Sequence, residues 1–313
     1  MGVSVGFTLP QFDKVKHYYD PRNNRSNPEY DNYSYSGTRF YDLFGSNHGT
    51  VTTNSILKQG GYLNFPIPDF NDVALRGCEY HAEFDEQDPS NSDDGLYLDF
   101  QTEIGCTFSF WFQAKTGFVT ANEYSSALQG SMPIFGVFSN SVGAAPYNEY
   151  HSMISVTGST TSNPAGRPTT NKSVEISYID TSTGPLPRFH PYDDPPSANT
   201  QAGEKLHAPG EWAQIIITGN KPQGQTNTSH DVWYNGEKIV SDYQRNLTTD
   251  SGGNPRPLNE RVFMINSIGA QEDQGNDPPK VSFQGQIGPI VHWDCRLTDS
   301  EIKNVYNGMK PII

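Results

Sequence analysis

The chain has 313 residues with 21 Lys and Arg against 35 Asp and Glu, a formal charge of −14. Such a surface repels a phosphate backbone, so tight binding to bare nucleic acid is not expected. With 29 Gly, 23 Pro and only 18% charged residues there is little room for long helices, while 17 Phe, 17 Tyr and 4 Trp supply the burial for a packed core.

The first ten residues carry no basic segment followed by an apolar run, and no run of about 18 apolar residues occurs anywhere, so neither a secretory signal nor a membrane span is expected. Cys78, Cys106 and Cys295 form an odd set without metal-type spacing and read as three free thiols. Sequons at Asn24, Asn32, Asn171, Asn227 and Asn246 read as a by-product of an Asn/Ser/Thr-rich surface.

In chain order, residues 1–30 read as an N-terminal arm rich in Asn, Pro and Tyr, and residues 31–313 as one large β domain. Tyr18, Tyr19 and Tyr30 of the arm, with Tyr33 and Tyr35 just after it, cannot make a core alone. They must cover the domain's own sheet or reach a neighbouring subunit. Strands are predicted at 61–65, 95–100, 132–138, 151–156, 174–179, 212–218, 262–268 and 281–293. The clearest alternation is at 106–113, where Cys106, Phe108, Phe110 and Phe112 share one face and Thr107, Ser109, Trp111 and Gln113 the other. A hairpin spans 231–240 with Asn235-Gly236 at its tip, a dipeptide that accepts the positive φ angles of a type I′ turn. Segments 85–94, 158–172, 181–205, 221–229 and 242–257 read as surface loops.

One helix is predicted near the C-terminus, laid against the rim of the sheets. Thr298 caps it, Glu301 completes a capping box, Leu297 staples to Ile302, and Gly308 with Pro311 stop it.

Three blocks together resemble the laminin-G-like, concanavalin A-like jelly-roll superfamily. The first is Leu96-Tyr97-Leu98-Asp99-Phe100 followed by Phe108-Ser109-Phe110-Trp111-Phe112. The second runs from Glu211-Trp212-Ala213-Gln214-Ile215-Ile216-Ile217 to Val232-Trp233-Tyr234-Asn235-Gly236-Glu237-Lys238. The third joins Phe283-Gln284-Gly285-Gln286-Ile287-Gly288, Trp293-Asp294 and Arg296-Leu297-Thr298-Asp299-Ser300-Glu301-Ile302 to Tyr306. The resemblance implies an all-β fold, a two-sheet antiparallel jelly-roll sandwich with long loops and one short C-terminal helix. A fourth block, Tyr33-Ser34-Tyr35-Ser36-Gly37-Thr38 through Tyr41-Asp42-Leu43-Phe44-Gly45-Ser46-Asn47-His48-Gly49-Thr50, resembles the lead-in on such domains in structural proteins of tailed phages and other viruses. It departs from that pattern with Phe40 where Trp is usual and Phe44 in place of Ser.

Fold alone does not assign function. Glycoside hydrolases on this sandwich carry a Glu-x-Asp-x-x-Glu strand. The nearest text, Glu83-Phe84-Asp85-Glu86-Gln87-Asp88, lacks the final Glu and runs into Pro89, so it reads as a solvated acidic loop. The eight histidines have no matched nucleophile, and no catalytic residue is assigned. Calcium is the one metal the loops suggest, through Asp93 and Asp94 beside Asp85 and Asp88, and Asp273 and Asp277 beside Glu272 and Asn276. Polar loop tips are the plainer reading of both clusters. Tyr147, Tyr150, Tyr192, Trp233 and Tyr243 lie in or next to loops as candidate contacts for a ligand or partner.

The expected function is that of a non-enzymatic structural protein of a virion, displayed in many copies on a capsid or tail. Its partners would be other virion proteins and a host-surface glycan. The alternative is a stand-alone carbohydrate-binding lectin, with or without calcium.

Overall fold

The computed structural model describes residues 8–28, 30, 36–57, 61–66, 80–84, 96–115, 131–136, 153–157, 173–177, 188–189, 210–245, 263–265, 267–269 and 283–310. Their strands run β1 (Val15–Tyr19), β2 (Arg39–Phe40), β3 (Gly49–Val51), β4 (Leu63–Phe65), β5 (Ala82–Phe84), β6 (Leu96–Leu98), β7 (Cys106–Ala114), β8 (Ser131–Gly136) and β9 (Met153–Thr157). They continue as β10 (Ser173–Ser177), β11 (Arg188–Phe189), β12 (Ala213–Asn220), β13 (Thr228–Tyr234), β14 (Glu237–Arg245), β15 (Phe263–Ile265), β16 (Ser267–Ile268) and β17 (Gly285–Trp293), followed by helix α1 (Asp299–Met309).

Two antiparallel sheets form the sandwich, as the three sequence blocks imply. One has seven strands in the order β1-β17-β7-β12-β13-β14, with β4 on β17. The other has eight, β11-β10-β9-β8-β16-β5-β3-β2, and β6 with β15 makes a separate ladder. Strand β17 is shared lengthwise on one edge. Gly285, Gln286 and Ile287 pair with β4, whereas Ile290 to Trp293 pair with β1. The register against β7 shifts between Ile287 and Ile290. Pro289 lies within that shift, as expected of a residue that has no N–H to give to a ladder.

The core lies where alternation aims it. Phe108, Phe110 and Phe112 of β7 are fully buried with Ile215 and Ile217 of β12. Across the gap, Phe135 of β8 meets Phe108 at 5.4 Å and Phe110 at 4.7 Å, both edge-on, the arrangement that aromatic quadrupoles favour. Each such ring contributes on the order of 2 kcal/mol by leaving water. At one end, Tyr19 of β1 closes the sandwich against Phe40 (5.5 Å) and Phe84 (5.2 Å) of the opposite sheet. Residues 15–19 of the N-terminal arm therefore belong to the domain's own sheet, as one of its strands.

The helix is placed differently from the expectation. It covers the outer face of the seven-stranded sheet rather than its rim, because that face carries Trp111, Trp233 and Trp293 at outward positions of three strands. Ile302, Val305 and Met309 pack onto them, and Tyr306 stacks on Trp111 with ring centroids 5.5 Å apart and planes 16° apart. The capping box of Thr298 and Glu301 is present. The helix runs through Gly308, and Lys310 turns extended, as a residue before proline must. Asn235 and Gly236 take φ angles of 50° and 77°, as a type I′ turn requires.

Glu83 also corrects its sequence reading. It lies in β5, registered between Thr50 and Ser267, with its carboxylate 2.8 Å from Nε2 of His81. The buried Ala82 and Phe84 on either side make the strand, and three residues are too few to register against the acidic run that follows.

Gly49 of β3 faces the Phe40 ring so closely that a Cβ would lie 2.0 Å from Cζ. Gly49→Ala is expected to cost about 1–3 kcal/mol through overpacking, and Thr298→Ala about 1 kcal/mol through the lost cap. Urea-denaturation midpoints of the two variants check both values.

Candidate functional site

Among the described residues, few large apolar side chains face solvent, and two of them touch. Phe12 is 57% exposed and Phe44 38%. Their rings meet edge to face with centroids 4.8 Å apart, and Tyr18 closes the group 6.2 Å from Phe44. The result is an aromatic ledge on the β1 edge of the seven-stranded sheet, drawn from two stretches of chain, the turn and strand at 12–18 and the loop at 44.

Each segment is pinned by polar bonds. Gln11 takes a left-handed φ of 46° and donates from Nε2 to Glu301 at 2.7 Å. Nε1 of Trp293 donates to the Pro10 carbonyl at 2.9 Å, and the Asp294 amide donates to Lys14 at 2.8 Å. These bonds fix the short turn Phe12–Lys14, and hence the Phe12 ring, against β17 and the start of α1.

Asp42 secures the other two rings. Its Oδ1 accepts from the backbone amides of Tyr18 (2.9 Å) and Phe44 (3.0 Å), and its Oδ2 accepts from Nδ1 of His17 at 2.7 Å. The carboxylate side chain is wholly buried. Gly45 is required beside it, since a Cβ there would lie 2.6 Å from Oδ2. One charged group thus ties β1 to the loop that bears Phe44 through three hydrogen bonds, two of them to backbone donors that would otherwise be unsatisfied.

Beside the rings sits a polar corner. Tyr18 donates its hydroxyl to Asp20 at 2.7 Å, and Arg22 reaches both Asp20 oxygens from Nε and Nη2 at 2.8 and 2.9 Å. Burial and the Asp20 carboxylate push the Tyr18 phenol well above its usual range, so it stays a hydrogen-bond donor. Asp20 is buried and both of its oxygens are taken, so the pair braces the corner beside the rings. No nucleophile and base are juxtaposed in this group.

A second polar cluster has a structural role. Asp231 of β13 accepts from the Asp242 amide (2.8 Å), Lys238 (3.1 Å) and Arg296 (2.9 Å), and Lys238 also reaches Asp299 at 2.9 Å. Burial pushes the Asp231 carboxyl up, but the Asp242 amide, Lys238 and Arg296 together hold it below its ordinary value. The cluster fastens the approach to α1 onto the sheet.

The residues singled out from sequence separate clearly. Tyr18 belongs to the ledge, Tyr19 is buried in the core, and Tyr30 is exposed beside Arg22, both rising over Gly61. Trp233 is corrected from a contact residue to a buried one. It is 2% exposed under α1, with Lys238 Nζ 4.9 Å from its ring centroid. Its outward strand position resembles exposure until the helix is laid over it. Tyr243 is half-buried against the main core. Tyr33, Tyr35, Tyr147, Tyr150 and Tyr192 lie outside the described residues, as do the proposed calcium ligands Asp93, Asp94, Asp273 and Asp277. Among the described residues no three His, Cys, Asp or Glu side chains gather as a metal-binding group. Phe12, Asp42 and Phe44 were not anticipated as a site. The one signal was Phe44 itself, an aromatic residue where the lead-in pattern has Ser.

No family model and no curated protein matches the sequence. In fold the chain is similar to Trypanosoma rangeli sialidase in complex with sialic acid, at 9% identity and a TM-score of 0.46, covering 96% of this chain and 33% of that one. It is similar to domain 4 of AbnA, a GH43 extracellular arabinanase from Geobacillus stearothermophilus, in complex with arabinotriose, at 14% identity and a TM-score of 0.39, covering 94% and 98%. The receptor binding domain of botulinum neurotoxin type G aligns at 13% identity and a TM-score of 0.36, covering 79% and 42%. The chain spans about a third of the length of the sialidase.

Asp42→Ala strands the Tyr18 and Phe44 amides and His17 without their acceptor. A loss of about 3–5 kcal/mol is expected, with Asp42→Asn falling between it and the wild type. Equilibrium unfolding in urea gives the ranking.

Proposed function

We propose that this chain is a non-catalytic binding module that engages carbohydrate through the ledge of Phe12, Tyr18 and Phe44. The carrying observation is the exposure of Phe12 and Phe44 in direct contact, held in place from below by a buried carboxylate. Sugar rings present C–H faces that stack on such rings. Preset geometry spares the ligand the cost of ordering the site. Three rings cover far less than the roughly 800 Å² per partner of a stable protein interface, which favours a small ligand over a protein.

A second reading, a structural protein displayed on the capsid or tail of a virion, is favoured by the lead-in block at residues 33–50. Its described part contains β2 and β3 and the loop between them, which bears Phe44 and Asp42. In that setting the ledge would be the outward contact with a host glycan, in many copies. Mass spectrometry of purified particles decides this reading: presence of the chain supports it and absence ends it.

Glycan-array screening followed by calorimetry tests the leading proposal. The wild type is expected to bind a subset of glycans, and Phe12→Ala with Phe44→Ala to weaken that binding at least about tenfold with the fold intact. A silent array, or undiminished binding by the double variant, overturns the proposal. Binding that resists EDTA keeps the ligand at the ledge. Binding abolished by EDTA moves it to calcium and to the loops of Asp93, Asp94, Asp273 and Asp277.

A further inference from the structure

The seam that holds β1 to the sandwich contains two buried histidines facing each other. His17 of β1 and His292 of β17 are register partners across the ladder, both buried, with rings stacked at 5.6 Å and planes 26° apart. His17 spends Nδ1 on Asp42, and its Nε2 makes no hydrogen bond. Neither ring nitrogen of His292 makes one. The ladder shifts register between Val15 and His17, immediately beside the pair.

The surroundings offer little to hold a proton on His292. On β1 the neighbouring Lys16 adds a like charge, and on the 41–48 segment Asp42 is already committed to His17 and two amides. The Nδ1 of His48 is engaged with the Asp42 amide. From β7, Phe108 lies opposite His292 in register and Cys106 is a thiol kept neutral by burial. Asp294 stands 3.7 Å from Nε2 of His292, but it is mostly in water, which weakens its hold on a proton there.

We infer that the His17–His292 stack makes the β1–β17 seam acid-labile, so that acidification detaches β1 from the sandwich and dismantles the ledge, since Phe12 and Tyr18 leave with it. Detachment exposes both imidazoles to water. Burial first, then His17 and Lys16, hold His292 well below its ordinary value while the seam is closed. The open form takes up that proton near the usual value of about 6.5. Acid therefore favours opening: below about pH 6.5 the opening constant rises about tenfold per pH unit for one proton, or about thirtyfold between pH 7.5 and 5.0. Above pH 6.5 the seam is at full strength.

Hydrogen–deuterium exchange on the whole chain without any ligand tests this independently of the carbohydrate reading. Corrected for intrinsic rates, amides of 15–19 are expected to lose about thirtyfold in protection between pH 7.5 and 5.0 while those of β12 hold. His292→Phe, which replaces the imidazole with an uncharged ring beside Phe108, is expected to reduce that loss to less than about threefold. Unchanged protection of 15–19 in the wild type overturns the inference, as does loss of β12 protection in step with β1. A loss that persists in His292→Phe and His292→Leu overturns it as well. If neither variant folds, the wild-type comparison of β1 with β12 decides alone.

Discussion

The central strands of the seven-stranded sheet, β17, β7, β12 and β13, are buried on both faces, and most of the architecture follows from that constraint. In β7 the inward phenylalanines and the outward Thr107, Ser109 and Trp111 are equally inaccessible. An antiparallel sheet usually keeps one face wet. Here the outward tryptophans of three strands demand a cover, and α1 with the N-terminal turn provides it. Among the polar groups trapped beneath, Thr107 is partnered by Thr218 and the Cys295 carbonyl, whereas Nε1 of Trp111 and of Trp233 makes no hydrogen bond. The charged cluster around Asp231 belongs to the same requirement, since it anchors the chain where it enters the helix.

The aromatic ledge lies on the edge of that sheet. A strand at an edge has one satisfied side and one exposed side, and proteins protect such edges in various ways. In this chain the protection is a loop tied across by Asp42, and the tie places ring-bearing residues at the surface. Stability and display are therefore carried by the same carboxylate. Surroundings built on a rigid tie keep their geometry without a ligand.

Local signals in the sequence were strong where a few adjacent residues decide the outcome. Asn235-Gly236 specifies its turn by the φ angles it tolerates, and Thr298 with Glu301 specifies a helix start by satisfying orphan amides. Period-two alternation at 106–113 named the core face correctly, but it could not reveal that the opposite face would be covered. The N-terminal strand was illegible. Val15, Lys16, His17, Tyr18 and Tyr19 do not alternate cleanly, because a bulge interrupts the ladder. The ledge was hidden because its rings come from two stretches of chain, 12–18 and 44, that only the Asp42 tie brings together. Trp233 misled because strand position predicts facing, not exposure.

The place of β17 in the sheet has a consequence for biogenesis. It is a central strand, flanked by β7 on one side and by β1 and β4 end to end on the other, yet it is made long after both of its outer partners. The bond from Trp293 to Pro10 spans 283 residues. Until that strand arrives, β7 has an open flank, and β1 and β4 wait without a mate. Such long-range topology slows folding and leaves sticky strands unshielded in the nascent chain. Synthesis of this protein should accordingly depend on chaperones that hold the early strands apart, and truncation before residue 285 should yield insoluble product rather than a smaller sandwich.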